Sequence, residues 1–289
     1  MKLSRNDECW CGSHKKYKKC HLAFDEKLNI LKNKGYKIPL RKMIKNQEQI
    51  EGIKKAAIVN NGLLDYIEQH IQADMSTEDI DQMTNEYLAK HHAKSADLNY
   101  EGFPKSICTS VNDEVCHGIP SEKVILKEGD IINVDATTNV NNYFADASRM
   151  FMIGEVSDEA KRLVSVTKEC LYKGMESIQP WKSCIGDIGK AIEKYANEQG
   201  YSVVREFCGH GVGLAMHEDP YIVHYDSHDP SYLLVPGMVI TIEPMINQGK
   251  RNIHLGENGW TAYTDDGKLS AQWEHTFLIT ETGVEIISK

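Results

Sequence analysis

Four carboxylates and one imidazole each stand alone inside a short apolar run, far apart along the chain, and no other feature limits the fold as strongly. The runs are Ile131-Ile132-Asn133-Val134-Asp135, Tyr143-Phe144-Ala145-Asp146, Cys208-Gly209-His210-Gly211-Val212-Gly213, Val239-Ile240-Thr241-Ile242-Glu243 and Gln272-Trp273-Glu274-His275-Thr276-Phe277. Such residues form buried strands. A carboxylate without a partner there costs several kcal/mol, so Asp135, Asp146, Glu243 and Glu274 have to meet cations. Divalent metal ions are the simplest source of that charge, and the fold has to gather the five side chains in one place.

Many carboxylates with a single imidazole make a hard donor set. It suits cobalt, manganese, iron or zinc, and is too rich in carboxylate for a structural zinc. Two such ions about 3.5–4 Å apart share a water and lower its pKa, making hydroxide available near neutral pH. The expected reaction is hydrolysis, and further donors have to meet the charge that develops on the attacked carbonyl. His117, in Cys116-His117-Gly118-Ile119-Pro120, and His217, in Met216-His217-Glu218-Asp219-Pro220, are placed for this, each three positions before a proline. Gly129 to Asp135 and Gly237 to Glu243 also match, each with a turn glycine six residues before a strand-end acid. Two similar halves are expected, each giving one histidine and a set of acids to a common cleft.

At 289 residues with 41% hydrophobic content, the chain can bury one large core or two fused halves. No signal-peptide pattern follows Met1-Lys2-Leu3-Ser4-Arg5, and no apolar run approaches the roughly 18 residues of a membrane span. A cytoplasmic protein without a membrane partner is expected, its eight cysteines reduced or bound to metal rather than paired. The net charge of -9 hides an asymmetry: residues 1–45 carry 13 Lys/Arg against Asp7, Glu8, Asp25 and Glu26, a balance of +9, and the remainder carries -18. A basic head on an acidic body points to contact between the head and a polyanion such as RNA.

That head contains Cys9-Trp10-Cys11-Gly12-Ser13-His14-Lys15-Lys16-Tyr17-Lys18-Lys19-Cys20-His21. Its spacing places three thiolates and an imidazole, Cys9, Cys11, Cys20 and His21, within a hairpin-sized loop that Gly12 and Ser13 can turn, and four such ligands suit one closed tetrahedral zinc. A segment this short cannot build a core, so the metal would supply its folding free energy. The segment closely resembles the SEC-C zinc-binding motif, an appendage of proteins that work near translation and secretion. His14 stands where that motif often has glycine.

From Leu22 to about Lys45 the chain reads as a lysine-rich linker with at most one short helix, broken at Gly35 and Pro39. It thus divides into a zinc motif (1–22), a basic linker (23–45) and a body (46–289). In the body, Ile50, Ile53, Ala57, Ile58, Leu64 and Ile67 predict an amphipathic helix over 46–70, and Ser76-Thr77-Glu78-Asp79 caps another running to about His91. Strands are expected over 106–111 and 123–138, the latter continuing through a hairpin to Ile153. Helices over 157–178 and 185–199 follow, and after Gly200 the pattern is mainly strand.

Residues 46–289 resemble the type I methionine aminopeptidases, which remove the initiator methionine from nascent chains. The carrying segments are Asn112-Asp113-Glu114-Val115-Cys116-His117-Gly118-Ile119-Pro120, Asp135-Ala136-Thr137-Thr138, Phe144-Ala145-Asp146, Gly209-His210-Gly211-Val212-Gly213, Thr241-Ile242-Glu243-Pro244-Met245 and Ser270-Ala271-Gln272-Trp273-Glu274-His275. The resemblance implies the α+β pita-bread fold, with a pseudo-twofold repeat, and a usually monomeric protein. It implies that Asp135 and Asp146 contact one metal, that Asp146 and Glu274 bridge the pair, and that His210 and Glu243 complete the second site. Glu243 would also take the proton of the nucleophilic water, with His217 on the scissile peptide and His117 on the substrate backbone or tetrahedral intermediate. Tyr100, Phe103, Cys108, Met216 and Trp260 would line the methionine pocket, although the family commonly has Phe where Met216 stands and a more usual Arg-x where Leu214 and Ala215 stand. The family also holds a monovalent cation, here on the carbonyls of Asn112, Glu114 and Ser270.

Three other readings bear on the same residues. Proline-specific peptidases of this fold use the same five ligands but usually carry a large N-terminal domain, whereas about 45 residues precede this body. Type II enzymes insert a helical subdomain between His210 and Glu243, and a spacing of 33 residues leaves no room for one. A binding protein or RNA-associated adaptor of this fold would have lost metal ligands, and all five are present. The expected substrate is a peptide or nascent chain with an N-terminal methionine, and the basic zinc motif is expected to meet the ribosome.

Overall fold

The computed structural model describes residues 3–289. Its N-terminal part is a small hairpin followed by helix α1 (Leu22–Asn33), which occupies the stretch expected to be a linker. Leu28 is buried, and Phe24, Leu31, Tyr36 and Ile38 pack against the main apolar core. Phe24 meets Trp181 edge-on at 4.8 Å, and the Lys27 ammonium lies over the same indole at 3.8 Å. The lysine-rich composition hid this docking, because the apolar residues of the stretch are few and widely spaced.

The body then presents helix pairs and sheets twice over. The first half holds α2 (Gln47–Glu68), α3 (Thr77–Lys90), β1 (Lys94–Ser95), β2 (Cys108–Val111), β3 (Glu114–Cys116), β4 (Ile131–Val140) and β5 (Tyr143–Met152). The second half has α4 (Asp158–Glu176), α5 (Ile185–Glu198), β6 (Ser202–Val203), β7 (Gly209–Gly211), β8 (Glu218–Ile222), β9 (Val239–Ile242), β10 (Met245–Asn247), β11 (Ile253–Leu255), β12 (Ala262–Thr264), β13 (Ser270–Gln272), β14 (His275–Ile279) and β15 (Val284–Ser288). β4 pairs with β5 along its whole length and with β2 and then β1 along its other edge. The second main sheet runs β15-β14-β9-β7-β8. The strand pairs of both sheets are antiparallel.

Local chemistry explains the helix ends. Asn46 Oδ1 accepts from the Gln49 amide at 2.9 Å while Gln49 Oε1 accepts from the Asn46 amide at 2.9 Å, closing a capping box at the start of α2. Ser76 and Asp79 form the equivalent box on α3. The buried face of α2 includes Ile50, Ile53, Ala57, Leu64 and Ile67. Ile58 is 72% exposed, contrary to expectation, because it follows Ala57 directly and therefore points away from that stripe. The strand expected over 123–138 begins only at Ile131. Ahead of it the chain turns, with the Lys127 amide donating to Asp130 Oδ2 at 2.8 Å and Gly129 at φ 98°.

The two halves repeat in backbone detail. Gly129 and Gly237 both lie in the left-handed region, at φ 98° and 89°. The Gly129 amide donates to the Ile153 carbonyl at 2.8 Å and the Gly237 amide to the Ile279 carbonyl at 2.9 Å. In return, Ile153 donates to Asp130 and Ile279 to Met238, both at 2.9 Å. Each glycine thus precedes a strand with an acid six residues on, but only Glu243, just past β9, is at a strand end; Asp135 lies mid-strand because β4 continues to Val140 to pair with β5.

The halves meet at β5 and the start of β14. Ser148 and Glu274 exchange backbone hydrogen bonds of 3.1 and 3.2 Å, Thr276 Oγ1 donates to the Asp146 carbonyl at 2.7 Å, and Asn133 Nδ2 donates to the Gln272 carbonyl at 2.8 Å. This seam positions the acids. Among the described residues, no helix is long and apolar enough to cross a membrane.

Candidate metal centre and active site

Strand register brings the five remote candidate ligands to the wall of one cavity. Asp135 on β4 lies opposite Ser148 on β5, and Asp146 lies opposite Thr137, so both acids stand near the seam. Across it, Ile242 pairs with His275, which sets the next residue, Glu243, against Glu274. β7 pairs with β9 through Gly211 and Ile240, which brings His210 alongside. Ligand atoms of Asp146, His210 and Glu274 lie within 4.8 Å of one another, and His210 Nε2 stands 3.8 Å from Asp146 Oδ2 and 3.5 Å from Glu243 Oε1.

The residues around these ligands fix their orientation. The Gly211 carbonyl can only accept, so its 3.0 Å contact with His210 Nδ1 places the ring proton there and leaves the Nε2 lone pair facing the carboxylates. Thr241 Oγ1 accepts from the His210 amide at 3.0 Å and donates to Glu243 Oε1 at 2.8 Å. His224, buried, accepts the Glu243 amide on Nε2 at 3.1 Å.

The electrostatics favour cations. Burial and then the neighbouring Asp135 push the Glu243 carboxyl up to about 8, and burial raises Asp135 to about 6. Asp146 and Glu274 are raised well above the usual carboxylate range by burial and by the other acids of the cluster. Asp146 Oδ1 and Glu274 Oε1 are buried with no hydrogen-bond partner. Orphaned carboxylate oxygens in a dry site are costly, and divalent ions satisfy them. The donor set therefore fits the metals that the sequence implies.

Beside this cluster opens a cavity of about 360 Å³. Tyr100, Phe103, Cys108, Met216 and Trp260 all line it, as do His117 and His217. Phe103 meets Trp260 edge-on at 5.2 Å, forming an apolar wall. The Tyr100 hydroxyl is 2.8 Å from His217 Nδ1, and the His217 ring lies 4.3 Å from that of His210. Burial holds His117 down at about 4 and lowers His217, so both rings are neutral at pH 7. Asn112, Glu114 and Ser270 lie further along the body: the Asn112 carbonyl accepts from the Ser270 amide at 2.9 Å, and Glu114 Oε2 accepts from the Val111 amide at 2.7 Å.

Sequence reasoning missed several lining residues, among them Asp97, Thr137, Phe207 and Cys208. Asp97 is a further buried acid, and its Oδ2 accepts the Thr137 amide at 3.1 Å. It follows a two-residue strand in polar sequence, so no apolar run marked it. Phe207 and Cys208 flank the Gly-His-Gly segment, and their nearness to His210 was the available signal.

The second cluster, in the N-terminal hairpin, is equally closed. Ligand atoms of Cys9, Cys11, Cys20 and His21 lie within 4.8 Å of one another. Cys11 Sγ is 3.6 Å from Cys20 Sγ, and His21 Nδ1 is 3.2 Å from Cys9 Sγ and 3.1 Å from Cys20 Sγ. Tetrahedral zinc with Zn–S of about 2.3 Å needs sulfurs about 3.8 Å apart, so the cluster fits the ion. All eight cysteines are free thiols. His14 points away to Glu8 and adopts φ 56°, which explains why the motif favours glycine there. Cys20→Ser is expected to lower zinc content by about one equivalent and to increase proteolysis within residues 5–23. Mass spectrometry under native conditions and limited trypsin digestion check this; full zinc retention would refute the assignment.

Comparison with known proteins agrees with this geometry. The model of metallopeptidase family M24 matches residues 51–281, and that of the SEC-C motif matches residues 5–23. The methionine aminopeptidase of Escherichia coli (strain K12) is 43% identical over 246 residues, covering 85% of this chain and 93% of its own length. Methionine aminopeptidase A of Synechocystis is 48% identical over 243 residues, covering 84% and 96%. The crystal structure of methionine aminopeptidase from Rickettsia prowazekii superposes with a TM-score of 0.83 at 41% identity, over 85% of this chain and 99% of that one. An X-Pro aminopeptidase from Thermotoga maritima shares only the fold, at 23% identity and a TM-score of 0.68 over 62% of its own chain. With its seam of buried acids and an N-terminal cysteine hairpin, the chain belongs to metallopeptidase family M24, among the type I methionine aminopeptidases that carry an SEC-C motif.

Proposed function

We propose that the protein removes the initiator methionine from nascent chains in the cytoplasm with two divalent ions held by Asp135, Asp146, His210, Glu243 and Glu274. The observation that carries this reading is the pair of orphaned buried oxygens on Asp146 and Glu274 in the wall of a cavity that Phe103, Met216 and Trp260 also line. Asp135, Asp146, His210, Glu243 and Glu274 would hold the ions, which would supply Lewis acidity for the scissile carbonyl, a water of lowered pKa and a site for the free amine of the substrate. The protein residues do the rest. Phe103, Trp260, Cys108 and Met216 take the thioether side chain, a polarizable group suited to aromatic and sulfur surfaces. The Tyr100 hydroxyl holds His217 at Nδ1, so Nε2 is the ring nitrogen left to meet the peptide as charge develops on it. Glu243, oriented by Thr241, accepts a proton from the attacking water. His117, neutral and walled by Phe207 at 5.2 Å, donates to the substrate backbone. Turnover of Met-Ala-Ser against Ala-Pro-Ala tests the specificity; faster release from the Xaa-Pro peptide would overturn the methionine assignment.

We also propose that the zinc hairpin holds the enzyme at the ribosome. Lys15, Lys16, Lys18 and Lys19 are exposed on it, as is Arg5, and so are available to RNA phosphates. Arg41 is bound instead to Asp25 at 2.9 Å, Lys42 to Asp219 and Lys45 to Glu218. Reversing the four exposed lysines to glutamate is expected to abolish cosedimentation with ribosomes at low salt while peptide turnover stays within twofold of about its starting value, since about four phosphate contacts dominate such affinity. Unchanged cosedimentation would refute the tether.

A further inference from the structure

Lys45 precedes α2 and is buried among apolar residues, its side chain 1% exposed. A lone ammonium there costs several kcal/mol. Its Nζ meets Glu218 Oε2 at 2.6 Å, and its backbone amide donates to the Gly237 carbonyl at 2.8 Å. The other oxygen of Glu218 faces the opposite way and accepts the amides of Leu214 and Ala215 at 2.7 and 3.3 Å. Glu218 therefore clamps the turn that joins β7 to β8. That turn carries Met216 and His217, both of which line the cavity. Next along the chain, Lys42 holds Asp219. Asn46, the cap of α2, donates through Nδ2 to the Cys11 carbonyl at 2.6 Å, so the zinc hairpin adjoins the same brace.

The clamp acts on the middle of a turn whose ends are tied elsewhere, by the Phe144 amide on the Gly213 carbonyl at 2.9 Å and by the Tyr100 hydroxyl on His217 at 2.8 Å. Leu214 is 39% exposed, and inside the turn the Gly213 amide reaches only the Ala215 carbonyl, at 3.2 Å. Without the charge on Lys45, Glu218 would be drawn toward water, and the two amides it holds would be released together. We propose that Lys45 is a positioning residue for His217, acting through Glu218, so that the segment ahead of α2 is functionally part of the active site. The inference rests on the role given above to His217.

The test compares Lys45→Met, Glu218→Gln, the double variant and His217→Ala in the full-length, metal-loaded protein on Met-Ala-Ser. A displacement of about 1 Å in a reacting group costs about 100-fold in rate. The expected result for Lys45→Met is a kcat lower by 10- to 100-fold, about that order, with KM and divalent-metal affinity by calorimetry both nearly unchanged. The double variant should be no slower than the slower single variant, since both remove one connection. Glu218→Gln keeps the shape of the side chain and gives the same answer if Lys45→Met does not fold. Wild-type kcat in both single variants, additive losses, or losses accompanied by weaker metal binding would each overturn the proposal. If His217→Ala itself keeps full turnover, the reading of the site fails; if only that variant is slow, the brace alone fails.

Discussion

Glu243→Gln is expected to lower kcat by about 10²- to 10⁴-fold, the range that a positioned proton acceptor contributes. The substitution keeps the size of the side chain and a carbonyl oxygen for Thr241, but it removes the negative charge and the basic site. In the metal-free protein burial and then Asp135 hold this carboxyl up at about 8, and bound cations would return it to the ionised form that accepts a proton. The same change removes a ligand charge beside His210 Nε2, which lies 3.5 Å away. Two effects are thus mixed, and metal titration of the variant separates them. A variant that binds both ions and is slow reports lost proton transfer; one that binds a single ion reports a lost ligand. Wild-type kcat would remove Glu243 from the mechanism altogether.

Stripping the divalent ions is expected to abolish turnover and to change the sign of the pH dependence of stability above pH 6.5. Asp146, Glu243 and Glu274 retain protons in the folded, metal-free chain that the unfolded chain has already released. Because the unfolded state then binds fewer protons, stability falls as pH rises. The fall extends up to about pH 8, where Glu243 titrates. Buried imidazoles oppose it at lower pH: burial depresses His210 to about 3 and His117 to about 4 from 6.5, so their contribution rises with pH until 6.5. The clean window therefore runs from pH 6.5 to 8. Melting of the stripped protein should occur at lower temperature at pH 8 than at pH 6.5, and manganese should remove the difference. Calorimetry at pH 7 in buffers of different ionisation enthalpy should also show proton release on metal binding. A stripped protein that becomes more stable across that window would contradict the buried-acid account.

Much of this was legible because metal ligation and strand burial leave opposite marks on a sequence. Asp135, Asp146, Glu243 and Glu274 were visible as charges where strand packing forbids them, and the glycines six residues ahead of Asp135 and Glu243 exposed the repeat. Asp97 lacked that contrast, since Lys94 and Ser95 form only a two-residue strand in polar surroundings. Ile58 was misplaced because a four-residue apolar stretch, Ala56 to Val59, blurs the helical stripe by one position. The docking of residues 22–45 was not legible at all. It depends on Glu218, Asp219 and Trp181, residues more than 130 positions away, whose partners no local pattern announces.

The seam between the halves also sets an order on the birth of the molecule. A polypeptide emerging in sequence brings out Asp135 and Asp146 early, yet the opposing wall of the ion pocket arrives only with Glu274 and the strand behind it. Until that wall docks, carboxylates face one another without the charge that reconciles them, and the interior stays open to water. Catalytic competence therefore waits on Glu274, and a copy still growing short of that strand cannot yet act.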